Sequence, residues 1–134
     1  MNLSLEVRGL AELQKRYSEA PDLIGREMRD AMQQSVVVGQ EVARNRAPVD
    51  TGRLQSHINT AIRGVMPDIV GVIGTDIKPY PEILELSGRT HYRAGPRAGQ
   101  PTAGWLSGTL PEIRERVFAF FERAVERAAK ILAK

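Results

Sequence analysis

Residues 21–46, PDLIGREMRDAMQQSVVVGQEVARNR, decide how this chain folds. Ile24, Met28, Ala31, Ser35, Val38 and Val42 recur at steps of three and four, which sets them on one face of an α-helix. Pro21 suits the first turn, where its missing N–H has no intrahelical partner to lose, and Asp22 complements the positive helix end. Arg44 and Arg46 put positive charge near the other end, and Pro48 stops the pattern. Within the helix, Ala31, Ser35, Gly39 and Ala43 form a row of small residues that allows another backbone to come close. Two occupants fit that groove: the domain's own sheet or second helix, or a neighbouring subunit.

On the N-terminal side, Leu3, Leu5 and Val7 alternate with polar residues, as in a half-buried strand over 2–8. Gly9 breaks the run, and Leu10, Leu13 and Tyr17 predict a short amphipathic helix over 10–18. On the C-terminal side, Pro48-Val49-Asp50-Thr51-Gly52-Arg53-Leu54 has the composition of a tight turn. Two β-like runs, 58–63 and 69–75, then flank Gly64-Val65-Met66-Pro67-Asp68, which predicts a β-hairpin over 57–75. Tyr80, Ile83 and Leu84 predict one helical turn at most, or an extended edge. Thr109-Leu110-Pro111-Glu112 has capping-box spacing and opens a C-terminal helix over 110–133. Its stripe runs through Ile113, Val117, Phe120, Ala124, Ala128 and Ile131, flanked by Phe121, Val125 and Leu132. Since the helix carries all three phenylalanines, it is expected to anchor the core.

With 134 residues, 42% of them hydrophobic, the chain is expected to be one domain with a core of its own, residues 1–134. The absence of cysteine excludes disulfides, thiolate metal sites and cysteine nucleophiles. His57 and His91 leave little for a histidine-based metal site, and no cofactor or metal is expected. A net charge of +3 permits contact with nucleic acid without arguing for it. The start MNLSLEVRG lacks signal-peptide features, and no apolar run approaches the ~20 residues of a membrane span, so a soluble chain made in the cytoplasm is expected.

Catalytic signals are thin, and no enzymatic activity is expected. There is no phosphate loop, and Gly71-Val72-Ile73-Gly74 lacks the third glycine of a dinucleotide fingerprint. Ser56, His57 and Asp50 could make a trio, but without a nucleophile elbow such sets arise in any chain of this length. The segment 88–108 says more. Rich in Gly and Pro, it carries Arg89, Arg93 and Arg97 and no acid, which predicts a long irregular loop. Arg89, His91, Arg93 and Arg97, with Tyr92 and Trp105, could touch phosphates and stack bases. The same composition fits a segment ordered by a partner subunit, or a solvated loop whose Trp105 docks on the core.

At the turn, Ala47-Pro48-Val49-Asp50-Thr51-Gly52-Arg53-Leu54, closing a long helix and followed by Ser56 and Ile58, resembles the hallmark of one family. That family is the tail-component (gene-product-ten-like) proteins of long-tailed bacteriophages, with the pattern A-P-V-D-T-G-x-L followed by S-I. The stretch Pro79-Tyr80-Pro81-Glu82-Ile83-Leu84-Glu85-Leu86-Ser87-Gly88 is similar to a second family element, a Tyr and then a Glu before Gly-Thr. Here Arg89 separates Gly88 from Thr90, and the loop through Trp105 replaces the family's short P-F-L approach to the last helix.

The resemblance implies an α+β fold, a small antiparallel sheet packed against a long helix and a C-terminal helix. It further implies structural work in the virion neck, completing the tail or joining it to the head as a ring around the DNA channel. Partners would be further copies in a six-fold or twelve-fold ring, the neighbouring stopper or adaptor and tail-terminator or tail-tube proteins, and DNA passing through the lumen, with no membrane. The alternatives are a tail terminator ring capping the tube and a small nucleic-acid-binding module using residues 89–97. The motif turn is Pro48, Val49, Asp50, Thr51, Gly52 and Leu54. The expected subunit contacts are the row Ala31, Ser35, Gly39 and Ala43, together with Tyr80, Glu85, Arg89, Arg93, Arg97 and Trp105.

Overall fold

The computed structural model describes residues 1–49, 52–93 and 95–133. In chain order its elements are β1 (Asn2–Glu6), α1 (Leu10–Arg16), α2 (Pro21–Arg46), α3 (Arg53–Ser56), β2 (Asn59–Arg63), β3 (Val70–Gly74), α4 (Tyr80–Leu86) and α5 (Thr109–Leu132). The architecture is the expected α+β, a three-stranded antiparallel sheet with α2 packed along α5. The strand predicted over 2–8 ends at Glu6, before Gly9 takes a left-handed φ of 89° ahead of α1. The segment after the hairpin is a seven-residue helix, α4, rather than a single turn.

β3 is the central strand, between β1 and β2. The register aligns Leu3, Ile73 and Thr60 in one row and Leu5, Gly71 and Ile62 in the next. These rows share the face that α2 covers, because successive strand residues alternate sides. Asn2, Ser4, Glu6, Asn59, Ala61 and Arg63 point the other way and are exposed.

Small residues set the approach of α2 to the sheet. A side chain at Gly39 would collide with Ile73 Cδ1 and press on Ile113 Cδ1, while one at Gly71 would collide with Val36 and Met32. Each element leaves a gap where the other has bulk. Ala31, Ser35, Gly39 and Ala43 are all buried, and Ser35 donates back to Ala31 O at 2.8 Å. The small-residue row is therefore the seam of α2 with its own core, and it presents no surface to a neighbouring subunit.

α5 runs antiparallel to α2, held at one end by Arg46–Glu112 at 2.7 Å and at the other by Arg127–Glu27 at 3.0 Å. Its buried face is Ile113, Val117, Phe121, Ala124 and Ala128. The phenylalanines divide: Phe121 is buried, Phe120 half-buried, and Phe118 54% exposed. Of the expected stripe, Ile113, Val117, Ala124 and Ala128 are buried; Phe120 lies at the margin of that face, and Ile131, on the same side as Ile113, is half-exposed in the last turn of the helix. The expected capping box is also replaced. The helix begins after Gly108 with no side-chain cap, and Glu112 turns away from the helix start toward Arg46 and Arg97.

Gly39→Val is expected to destabilise the fold by about 1–3 kcal/mol, the cost of overpacking a filled core. Gly25→Ala, which meets open space on the same helix, should stabilise by roughly 0.4–1 kcal/mol. Urea unfolding midpoints check both.

Candidate functional site

The last carbonyls of a helix have no intrahelical donor, and at the end of α2 other segments supply them. Arg44 O accepts from Gln55 Nε2 at 3.2 Å, and Arg46 O accepts from the Tyr92 hydroxyl. Gln55 belongs to α3 and Tyr92 to the Gly/Pro-rich loop, so both segments are tied to the same helix end. The Arg46 side chain reaches a third region. Its guanidinium donates to Trp105 O at 2.9 Å, Gly104 O at 3.1 Å and Glu112 Oε1 at 2.7 Å, and Arg97 joins Glu112 at 3.3 Å.

The loop is bonded to itself and to α4. Tyr92 N donates to Gln100 O, and Gly99 N returns to Tyr92 O, each at 2.9 Å. Thr102, fully buried, donates from its hydroxyl to Leu84 O at 3.0 Å and also meets the Thr90 hydroxyl. Trp105 is 0% exposed, its Nε1 donating to Pro81 O at 3.0 Å. Glu85 accepts from Ser107 N at 2.8 Å. Trp105 and Glu85 thus fasten the loop to α4, and Arg97 is paired with Glu112; Trp105 in particular has no surface to offer a subunit contact. Composition could not show this, because an indole beside arginines suits an exposed stack and a buried anchor equally well.

What remains at the surface is a cleft. Pro48 and Val49 face Tyr80, Leu84 and residues 89–93 across a cavity of about 360 Å³. An adjoining cavity of about 170 Å³ is lined by Pro48, Gly52, Arg53, Leu54, Ile77, Lys78 and Tyr80. Pro48 and Tyr80 border both, so the two make one groove between the turn after α2 and α4. Gly52 holds a left-handed φ of 80° and lets the chain reverse into α3, where Leu54 is buried beneath the turn. Asp50 and Thr51, also singled out in the turn, lie outside the described residues. Among the described lining residues, Arg53, Lys78, Arg89, Arg93 and His91 supply positive or titratable groups and none is a carboxylate. Beyond the groove, α4 buries Pro81 and Leu84 but exposes Tyr80 (42%), Ile83 (53%) and Leu86 (83%), three residues at steps of three. The exposure of Ile83 and Leu86 was not singled out from sequence; the signal was their spacing with Tyr80.

The Ser56–His57 pair does not have the geometry of an activated nucleophile. Ser56 Oγ lies 3.1 Å from His57 Nδ1, but both groups also meet Arg53 O, the imidazole nitrogen at 2.8 Å and the hydroxyl at 3.1 Å; a carbonyl only accepts, so the tautomer that bonds it has its proton on Nδ1 and leaves that nitrogen no lone pair for the serine proton. Among the described residues no group of three or more His, Asp or Glu is placed to hold a metal ion. Burial raises the Tyr92 phenol above its ordinary pKa, against the opposing pull of Arg46 and Arg97. Compared with models of protein families, with curated proteins and with solved structures, the chain matches none.

Arg46→Met is expected to cost about 2–3 kcal/mol, since two carbonyls and a carboxylate lose a charged donor. Arg46→Lys should recover little of it, because an ammonium cannot reproduce the planar fork; guanidinium denaturation measures both. The Tyr92 contribution has a defined sign. Its folded pKa lies above the unfolded value of about 10, so its stabilisation is complete below that pH and is lost as pH rises through the folded pKa. Tyr92→Phe should flatten the alkaline fall in melting temperature.

Proposed function

We propose that this chain is a structural protein of the neck of a long-tailed bacteriophage. In this reading it is made in the host cytoplasm and built into the virion, where it completes the tail or joins it to the head as one subunit of a ring around the DNA channel. The observation that carries the reading is spatial. The two stretches with family resemblance, 48–54 and 79–88, are separated by the whole β-hairpin, yet they meet across one groove that Pro48 and Tyr80 both border. A motif needed only for its own turn would not require a second, distant stretch opposite it. The groove continues into the exposed apolar side of α4, and such patches on soluble chains mark contacts with other proteins.

The nucleic-acid-binding alternative loses its main aromatic, because Trp105 is buried and cannot stack on a base. Arg89, His91 and Arg93 remain exposed and can make passing contact with phosphates, which the neck reading also allows.

Particles assembled without this chain are expected to accumulate as filled heads and finished tails that are not joined. Tails of uncontrolled length would instead favour the terminator alternative, and normal infectious particles would overturn both. Leu86→Asp, at an 83% exposed position, should change stability by less than about 0.5 kcal/mol while blocking joining; sedimentation of lysates separates the products.

A further inference from the structure

We infer that the groove between the motif turn and α4 receives an extended segment of another protein, in which an apolar side chain lies between two carboxylates; this rests on the neck reading above. The lining changes chemistry along its length. Arg53 and Lys78 belong to one cavity and Arg89, His91 and Arg93 to the other, while Pro48 and Tyr80 between them border both. Leu54 and Leu84, both buried, line the groove from the core side. Lys78 and Arg89 are exposed, and neither has an ion-pair partner among the described residues. The carboxylates nearby do not cancel the excess. Asp76 lines a separate cavity that shares only Arg53 and Ile77 with the groove, Glu82 lines neither half of it, and Glu85 is turned inward to Ser107. Even with the charge of Asp50 set against them, the four arginine and lysine side chains of the lining leave the groove positive.

Cations at both ends with apolar surface between them select the occupant. A carboxylate meets each basic end, and an apolar side chain enters beside Pro48 and Tyr80. Cavities of about 170 and 360 Å³ take individual side chains, and an extended chain presents every second one to the same wall. Lys78 precedes α4 and Arg89 follows it, and a helix of seven residues rises only about 10 Å, a span that a short extended segment covers. A second copy does not supply this segment, because no stretch between its helices and strands carries more than one carboxylate. Nucleic acid fits less well. Its phosphates would match the cations but leave Leu54, Leu84 and the neighbouring exposed Ile83 and Leu86 without apolar contact.

The test uses assembled particles and the native lysine. A water-soluble carbodiimide couples a lysine amine directly to a carboxylate in contact with it. It is expected to link Lys78 to an Asp or Glu of another virion protein, in a stretch with an apolar residue and then a second acid close by. Arg89→Lys adds an amine at the other end and should give a link to that second acid. Lys78→Arg keeps the charge, so it should abolish the first link while joining continues. Lys78→Glu combined with Arg89→Glu should lower the yield of joined particles at least about tenfold, since like charges facing each other across a contact oppose it. Particles that contain the chain but show no link at Lys78, or a link only within the chain or to another copy of it, overturn this inference and leave the neck reading standing. Formaldehyde links from Lys78 to DNA in place of a protein carboxylate do the same. Particles that lack the chain altogether overturn both.

Discussion

Arg46 joins parts of the chain that local structure alone would leave separate. It is the last residue of α2; its carbonyl accepts from Tyr92, and its guanidinium takes Gly104, Trp105 and Glu112 together. Loop, turn and C-terminal helix therefore converge on the end of one helix. The arrangement is tight. A side chain at Gly108 would collide with the Arg46 guanidinium, so the chain entering α5 passes directly against it. A guanidinium suits this position because its planar fork presents several donors at once to carbonyls and a carboxylate.

The same convergence builds the groove. With α2 closed off by its own side chain and by Tyr92, the following turn lies beside residues 89–93, and Trp105 holds α4 down through Pro81. α4 is then fixed with Leu84 inward and Ile83 and Leu86 outward. Its exposed apolar side is thus a consequence of how the loop is anchored. Segments often read as adaptable from glycine and proline content here form the frame of the candidate site.

Much of the fold was legible because it rests on periodicity. The steps of three and four in α2 and α5, and the alternation in β1, follow from helix and strand geometry and need no knowledge of neighbours. The motif turn and the Tyr80 stretch were legible as two separate strings of residues. Their meeting was not, since it depends on the hairpin between them and on the loop that fastens α4. The row Ala31, Ser35, Gly39 and Ala43 shows the limit clearly. Its spacing announces a close approach, and whether the approaching surface is Ile73 of the same chain or another subunit cannot be written in the spacing.

By itself, the sequence determined the order of the strands, α1 and the two long helices, their amphipathic faces and the absence of thiol chemistry, because these depend on residue type and short-range spacing. Only the tertiary structure decided which polar and aromatic side chains were spent inside the molecule. Trp105, Glu85 and Arg97 look like surface chemistry in the string of residues, yet they are engaged by Pro81, Ser107 and Glu112. Lys78, Arg89, Ile83 and Leu86 stay at the surface beside the groove. The physical reason is that hydrogen-bond satisfaction and burial are settled between segments distant in sequence, and no local pattern records which partner a side chain will find.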